Sequence, residues 1–144
     1  MANCFVTNRR IEFCETDAAG IIHFSSFFCY MEQAEHAFLR SLGTSVVQPL
    51  PEGGHLSWPR VHAECDYIQA VRFEDELKIC LWVARLGNKS VSYRFDFFDS
   101  LDKLVAKGLV TAVCCRVGLG GSHIESCSIP IPLHKQLSEF TCDR

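Results

Sequence analysis

The first 43 residues show two hydrophobic periods in succession, one typical of a strand and one typical of a helix. Between about residues 5 and 15 alternate positions are largely apolar, as at Phe5, Ile11 and Phe13, which predicts a first strand. The next segment, Asp-Ala-Ala-Gly at 17–20, is typical of a turn. A helix is predicted from about residue 24 to 42, because apolar residues recur there at helical spacing. These residues are Phe24, Phe27, Phe28, Met31, Ala34, Phe38 and Leu42.

After residue 55 the hydrophobic period changes to two. It predicts four consecutive strands at about residues 61–67, 77–83, 90–97 and 104–117. Gly87-Asn88 and the segment 99–102 are typical of hairpin turns between the last three strands. The glycine- and proline-rich segment 48–55 predicts a loop, and the segment 129–140 predicts a short final helix.

The order of these elements predicts an α+β fold with one sheet against one helix. The strongly aromatic face of the helix suits burial against a sheet. A chain of 144 residues is the ordinary size of one domain, so we expect a single domain over 1–144. An open edge strand would favour pairing with a second copy, which predicts a dimer.

Composition and charge exclude several classes of protein. The net charge is −3 without any block of like charges, so no nucleic-acid partner is expected. The N-terminus has no apolar signal-peptide core and no apolar run is long enough for a membrane span, so the prediction is cytoplasmic. Nine cysteines occur without Cys-x-x-Cys or zinc-type spacing. We expect reduced cysteines used as small hydrophobic residues, and neither a metal nor a cofactor.

The segment from Arg10 to Phe24 resembles the start of the 4-hydroxybenzoyl-CoA thioesterase family. That family shows an aromatic residue, Asp-x-x-Gly, two aliphatic residues, and then a helix with an acidic residue midway. The segments 58–67 and 72–77 resemble its second and third strands, and with Lys89-Ser90 the likeness spans nearly the whole chain. The matching positions in the first segment and the helix are Phe13, Asp17, Gly20, Ile21, Ile22 and Glu32.

The resemblance implies a hotdog fold, in which an antiparallel five-stranded sheet wraps around one long central helix. It also implies an acyl-CoA thioesterase that forms a homodimer, or a homotetramer of paired dimers, with active sites at the dimer interface. Many relatives carry His or Asn where this chain has Phe24. Other members of the family, including those that act on aromatic acyl groups, have an aromatic residue there, so Phe24 favours an aromatic acyl group. The alternatives are a short-chain aliphatic acyl-CoA thioesterase and a non-catalytic acyl-CoA-binding module. A hotdog dehydratase is a weaker rival, because the surroundings of Asp17 and His23 do not match one.

Asp17 is the catalytic residue that the resemblance implies, either as nucleophile or as general base. Thioester hydrolysis needs a carboxylate and a donor for the oxyanion, and a thiolate leaves without a strong acid. The backbone N–H of Phe24, close to the helix N-terminus, would polarise the thioester carbonyl. On spacing alone a turn is the more frequent use of Asp-x-x-Gly, and the resemblance reverses that order.

The remaining site residues are also implied by resemblance. The acyl pocket would be lined by Phe27, Trp58, Pro59, Arg60 and Glu32, and CoA would be bound by Lys89, Ser90 and Arg85. Core packing explains Phe27 as well, a solvated ion pair explains Glu32, and basic residues near turns are commonly solvated. His23 and His62 are able to act as acid or base, although a hydrogen-bonded surface histidine is the more frequent role.

Overall fold

The fold is that of a computed structural model, which describes residues 3–121 and 123–142. In these residues the helices are α1 (Ser26–Ser41) and α2 (Ile131–Ser138). The strands are β1 (Phe5–Arg10), β2 (Gln48–Pro49), β3 (His55–Ser57), β4 (Arg60–Tyr67), β5 (Glu76–Leu86), β6 (Ser90–Phe98), β7 (Leu104–Val113), β8 (Cys115–Val117) and β9 (Ile124–Ser126).

The main sheet has five antiparallel strands in the order β1-β5-β6-β7-β4. Helix α1 packs on one face of this sheet and contacts β1, β4, β5 and β7. Tyr30 and Phe38 of the helix are fully buried, as are Phe95 and Phe97 of β6. The predicted α+β arrangement of one sheet against one aromatic-faced helix is therefore confirmed.

The helix approaches β7 closely at Gly108. A Cβ atom at this position would lie 2.2 Å from the sulfur of Met31 on α1. Gly108 pairs with Phe95 of β6 and Cys65 of β4, so the close approach occurs in the middle of the sheet. The glycine thus sets how deeply α1 sits on the sheet.

Two predicted elements are wrong in their extent. The segment Gln48–His55, predicted as a loop, contains β2 and the start of β3, which belong to a second sheet of order β2-β3-β8-β9. The predicted single strand at 104–117 divides at Cys114 into β7 and β8. Cys114 donates its N–H to the Lys89 carbonyl (2.7 Å) and accepts a hydrogen bond from the Cys127 N–H (2.9 Å), so the chain passes there from one sheet to the other.

The first strand also ends earlier than predicted, at Arg10 rather than near residue 15. Residues Phe13–Glu15 form a turn of 3-10 helix, since Glu12 and Glu15 hydrogen-bond each other's backbone N–H groups. The hairpin turns at 87–88 and 99–102 and the final helix are confirmed, with Gly87 N–H to Ser90 O at 2.8 Å and Asp99 N–H to Lys103 O at 2.9 Å.

Strand β4 forms one edge of the main sheet, and its outer side is open. Val61, Tyr67 and the following Ile68 are about half exposed or more, at 64%, 48% and 50%. The Ile68 N–H donates to Val105 of β7 (2.9 Å), so by antiparallel alternation Ala63 and Cys65 direct their N–H groups to the open edge.

None of the described helices is long and apolar enough to cross a bilayer. All nine cysteines lie within the described residues and are unpaired. Cys80, Cys114 and Cys115 are buried as small hydrophobic residues, whereas Cys14 and Cys29 are exposed.

Candidate active site

Asp17 lies in a tight turn between β1 and α1. Its carbonyl accepts the Gly20 N–H (2.9 Å), its N–H donates to the Ile21 carbonyl (2.9 Å), and one carboxylate oxygen accepts the Ala19 N–H (2.8 Å). Gly20 has a φ of +78°, in the left-handed region that glycine adopts without steric cost. Asp17 therefore is a turn residue, and its half-buried carboxylate is held in a fixed direction.

The Asp17 side chain borders a cavity of about 270 Å³ between the start of α1 and the end of β4. Among the described residues that line it, Asp17 is the only charged one. The others are Ile21, Ile22, Phe24, Phe27, Tyr67, Ile68, Gln69, Ala70 and Val71. The lining is thus mostly aliphatic and aromatic, with a single carboxylate.

Phe24 precedes the first turn of α1 and has a free backbone donor. No residue in 3–121 or 123–142 accepts a hydrogen bond from its N–H. Its carbonyl accepts the Tyr67 hydroxyl at 3.0 Å, which ties the start of the helix to the end of β4. The Phe24 ring is 63% exposed and stacks on His23 at 4.5 Å. An unpaired N–H beside a helix N-terminus can polarise a carbonyl.

A group of interacting side chains that was not predicted from the sequence, Arg9, Glu15 and Tyr30, supports the segment between this turn and α1. The Glu15 carbonyl accepts the His23 N–H (2.9 Å) and the Ser26 hydroxyl (3.0 Å). The Glu15 carboxylate pairs with Arg9 of β1 at 2.5 Å, and the Arg9 guanidinium lies 4.8 Å over the Tyr30 ring. Burial raises the pKa of the Tyr30 phenol well above its ordinary value, so it stays neutral. The only sequence signal was a charged Arg9 at an inward position of the first strand.

Trp58, Pro59 and Arg60 lie far from Asp17 in the same chain. Arg60 begins β4 and Tyr67 ends it, and their partners on β7, Ala112 and Ala106, are six residue steps apart, so at about 3.3 Å a step they are separated by about 20 Å. The Trp58 side chain is 6% exposed and belongs to the core. The structure thus brings Phe24 and Phe27 to the Asp17 cavity, and leaves these three residues at the opposite end of the edge strand.

Lys89 and Ser90, the predicted CoA ligands, lie at that opposite end too. They form the β5–β6 turn, and Ser90 pairs with Val113 of β7. Val113 donates its N–H to the Pro59 carbonyl at 3.0 Å, so the turn and the start of β4 are neighbours. Lys89 is exposed, and Arg85 is an exposed residue near the end of β5.

The helix acid predicted for the site, Glu32, is exposed and does not line the cavity. Glu35, three residues further along α1, is instead buried at 1% exposure and forms an ion pair with Arg60 at 2.6 Å. Burial raises the pKa of Glu35 to about 7, against the opposing effect of Arg60. Its signal in the sequence was its place four residues after Met31 and three before Phe38, on the buried stripe of α1.

Neither of the two histidines considered as acid or base, His23 and His62, lines the Asp17 cavity. His23 is half-buried and hydrogen-bonds the Ser25 hydroxyl through Nδ1 at 2.7 Å. His62 is exposed, with Nε2 3.5 Å from the Glu64 carboxylate. In the described part of the chain no group of three His, Cys, Asp or Glu side chains could hold a metal ion.

Comparison with known proteins assigns the chain to a family. The family model described as the thioesterase superfamily matches residues 19–106, which include Gly20, the whole of α1 and the strands β4 to β6. The chain belongs to the thioesterase superfamily. It is therefore an enzyme of the thioester hydrolase class.

Individual relatives agree with this assignment. A 1,4-dihydroxy-2-naphthoyl-CoA hydrolase of Synechococcus sp. (strain CC9311) is 31% identical over 144 residues, covering 94% of this chain and 90% of its own. The structure of the gentisyl-coenzyme A thioesterase BH1999 matches with a TM-score of 0.78 at 25% identity, and the match covers 92% of this chain and 99% of that one. The Dynemicin thioesterase shares the fold, with a TM-score of 0.83 at 20% identity, and the match covers 99% of this chain and 100% of that one.

These matches confirm the hotdog fold and the thioesterase class that the sequence predicted. They confirm the superfamily rather than the narrower 4-hydroxybenzoyl-CoA thioesterase family, since the relatives above are named for other acyl groups.

Proposed function

We propose that the chain hydrolyses an aromatic acyl-CoA thioester to the free acid and CoA, with Asp17 as the carboxylate at the reacting carbon. The observation that carries the proposal is a single charged residue in the lining of an apolar cavity that Phe24, Phe27 and Tyr67 also line. Such a cavity can accept an aromatic ring, and its one carboxylate would face the thioester attached to that ring.

The chemistry requires a nucleophile and a donor for the oxyanion. Asp17 either attacks the thioester carbon, forming an acyl anhydride that water then hydrolyses, or takes a proton from a water that attacks that carbon. Both routes break the same C–S bond and release the free acid and CoA. The Phe24 N–H, which has no acceptor among the described residues, would donate to the carbonyl oxygen as negative charge develops there. The departing thiolate needs little help from an acid.

Two observations favour an aromatic over an aliphatic acyl group. Phe27 meets the Tyr67 ring edge-on at 5.5 Å, and the exposed Phe24 ring stands at the same cavity. A 31% identical relative is named a 1,4-dihydroxy-2-naphthoyl-CoA hydrolase, and a structural neighbour a gentisyl-coenzyme A thioesterase. Both names denote hydroxylated aromatic acyl groups. We therefore propose a hydroxyaryl-CoA as the preferred substrate.

A homodimer would complete the site. Antiparallel pairing of β4 with its copy, centred near Ala63 and Glu64, would bring Arg60 of the partner subunit beside Tyr67. Trp58, Pro59, Lys89 and Ser90 lie at that same end of the strand. Pairing would therefore bring together the two groups of predicted site residues, which lie about 20 Å apart within one chain. This arrangement suits the roles that the resemblance implies for Pro59, Arg60, Lys89 and Ser90. It offers no contact to Trp58, which is 6% exposed in the core, and Glu32 does not line the cavity. Pairing of dimers into a tetramer stays a prediction.

A panel of CoA thioesters tests the proposal. It contains hydroxybenzoyl, gentisyl, dihydroxynaphthoyl, unsubstituted benzoyl, and two- to six-carbon aliphatic acyl groups, and release of the CoA thiol is followed with a thiol reagent. We expect kcat/KM for the hydroxyaryl thioesters to exceed that for the aliphatic ones by more than tenfold.

Two results would redirect the proposal. Faster hydrolysis of the aliphatic thioesters would replace the aromatic substrate with a short-chain one. Binding of the thioesters in calorimetry without release of CoA would indicate a non-catalytic binding module and contradict the proposed reaction.

A further inference from the structure

Glu35 is a buried carboxylate that the proposed reaction does not use. It lies in the middle of α1 with 1% exposure, and its side chain points between the helix and the start of β4. A buried ion pair is commonly no more stabilising than a hydrophobic pair of the same volume, because desolvation of both charges offsets their attraction. Fold stability alone therefore gives little reason for an acid at this position.

The partner of Glu35 is held by two bonds. Arg60 donates a hydrogen bond from Nη2 to the Glu35 carboxylate and another from Nη1 to the Trp58 carbonyl, each at 2.6 Å. The Arg60 side chain is still 27% exposed, against 2% for Glu35. Since a guanidinium has five N–H donors, some remain available to a ligand on the exposed side.

A β-bulge directs Arg60 to this place. Tyr67, Cys65 and Ala63 of β4 lie opposite residues of β7 that face the core, and strict alternation would continue that series at Val61. The register shifts between Arg60 and His62, so Arg60 instead lies opposite the fully buried Ala112. Bulges of this kind redirect a side chain and are frequent beside active sites.

We infer that Glu35 is a positioning residue, which fixes the Arg60 guanidinium at the end of β4 so that its free N–H donors contact the acyl group of the substrate bound in the paired molecule. This inference rests on the proposed function. Its ligand chemistry is an oxygen acceptor on the aromatic ring, such as a hydroxyl group, because Arg60 offers donors only. Glu35 acts through Arg60 and does not itself touch the substrate.

Steady-state kinetics of Glu35→Gln, Arg60→Gln and the double variant test the inference with the best hydroxyaryl-CoA of the panel. Each single variant is expected to raise KM about tenfold, the value of one hydrogen bond from a charged donor, with kcat within about threefold of wild type. Because Glu35 acts only through Arg60, the double variant should be no worse than Arg60→Gln. Glu35→Asp, which keeps the charge, should recover part of the loss in KM.

Two further variants separate positioning from folding. Asp96→Asn breaks another buried ion pair, with Arg94 at 2.9 Å, on the face of β6 opposite the core, and should lower stability while leaving KM unchanged. Glu35→Met combined with Arg60→Met replaces the pair by apolar side chains of similar length, so this variant should fold stably and still show the raised KM.

Wild-type KM in Glu35→Gln, or effects of the two single changes that multiply in the double variant, would overturn the inference while leaving the proposed function intact. Absence of hydrolysis of every thioester by wild type would overturn both together.

Discussion

At the scale of single residues, Asp17 lies both in a turn and at the cavity proposed to bind the substrate, two placements that sequence patterns treat as alternatives. One carboxylate oxygen accepts the Ala19 N–H and so stabilises the turn, while the side chain borders the apolar cavity. Asp-x-x-Gly is frequent in turns, and the turn is what holds the carboxylate in one direction. The position of Asp17 in a turn is therefore compatible with the catalytic role proposed for it.

The buried Glu35 predicts a dependence of stability on pH. Its pKa is about 7 in the folded chain against an ordinary 4.5, because burial outweighs the effect of Arg60 and Glu32 adds to the rise. The folded state therefore binds the proton more tightly, and the stabilisation is present at low pH and lost as pH rises through 7. Urea unfolding at pH 5 and pH 8 measures it.

Between these two pH values wild type should lose on the order of 2 kcal/mol more stability than Glu35→Gln, which does not titrate. Equal losses in the two proteins would show that Glu35 has an ordinary pKa.

Which acid of α1 is buried could not be chosen from the sequence alone. Glu32 matched the family position and Glu35 did not, yet Glu35 lies on the stripe with Met31 and Phe38. Helical periodicity identifies that buried stripe, but a charged residue within it is ordinarily expected to lie at the edge of the stripe, facing solvent. Only the Arg60 contact, across 25 residues, explains its burial.

At the scale of elements, the hydrophobic periods were sufficient for α1 and for the long strands of the main sheet. They failed where a short strand joins a second sheet, as at Cys114, because alternation continues through the crossing although the partner strands change. They also could not reveal the bulge at Val61, which changes the face of one residue without changing the composition of the strand.

The fit of α1 on β7 predicts a specific cost at Gly108. Gly108→Ala should destabilise the protein by about 1–3 kcal/mol, because the added methyl would overlap the Met31 sulfur. In the Met31→Ala background the same change should cost clearly less, since the obstructing side chain is gone. Thermal unfolding of the four proteins measures this, and equal costs in both backgrounds would contradict the packing described.

At the scale of the whole molecule, the predicted site residues fall at the two ends of an open edge strand. Sequence resemblance could name Asp17 and Arg60 without revealing that β4 separates them. The separation follows from the length of β4, and a proposed second copy paired along this strand would remove it.

Ala63→Pro tests the role of this edge. Alternation directs the Ala63 N–H away from β7, and proline is tolerated on the free side of an edge strand, so the chain should still fold. Light scattering should find wild type at twice the 16.2 kDa chain mass or a multiple of that, and Ala63→Pro at the chain mass with hydrolysis reduced at least tenfold. A monomeric, fully active wild type would contradict the shared site.

The most direct test of the central claim is kcat/KM of Asp17→Asn on the best acyl-CoA of the panel. Asparagine keeps the oxygen that accepts the Ala19 N–H, so the turn is preserved and only the charge and basicity are lost. Asp99→Asn is the matched control, since the Asp99 carboxylate accepts the Leu101 and Lys103 N–H groups of another turn at 2.9 and 3.0 Å. We predict a loss of about 10²–10⁴-fold for Asp17→Asn and wild-type rates for Asp99→Asn. Hydrolysis by Asp17→Asn within a few-fold of wild type would contradict the role of Asp17.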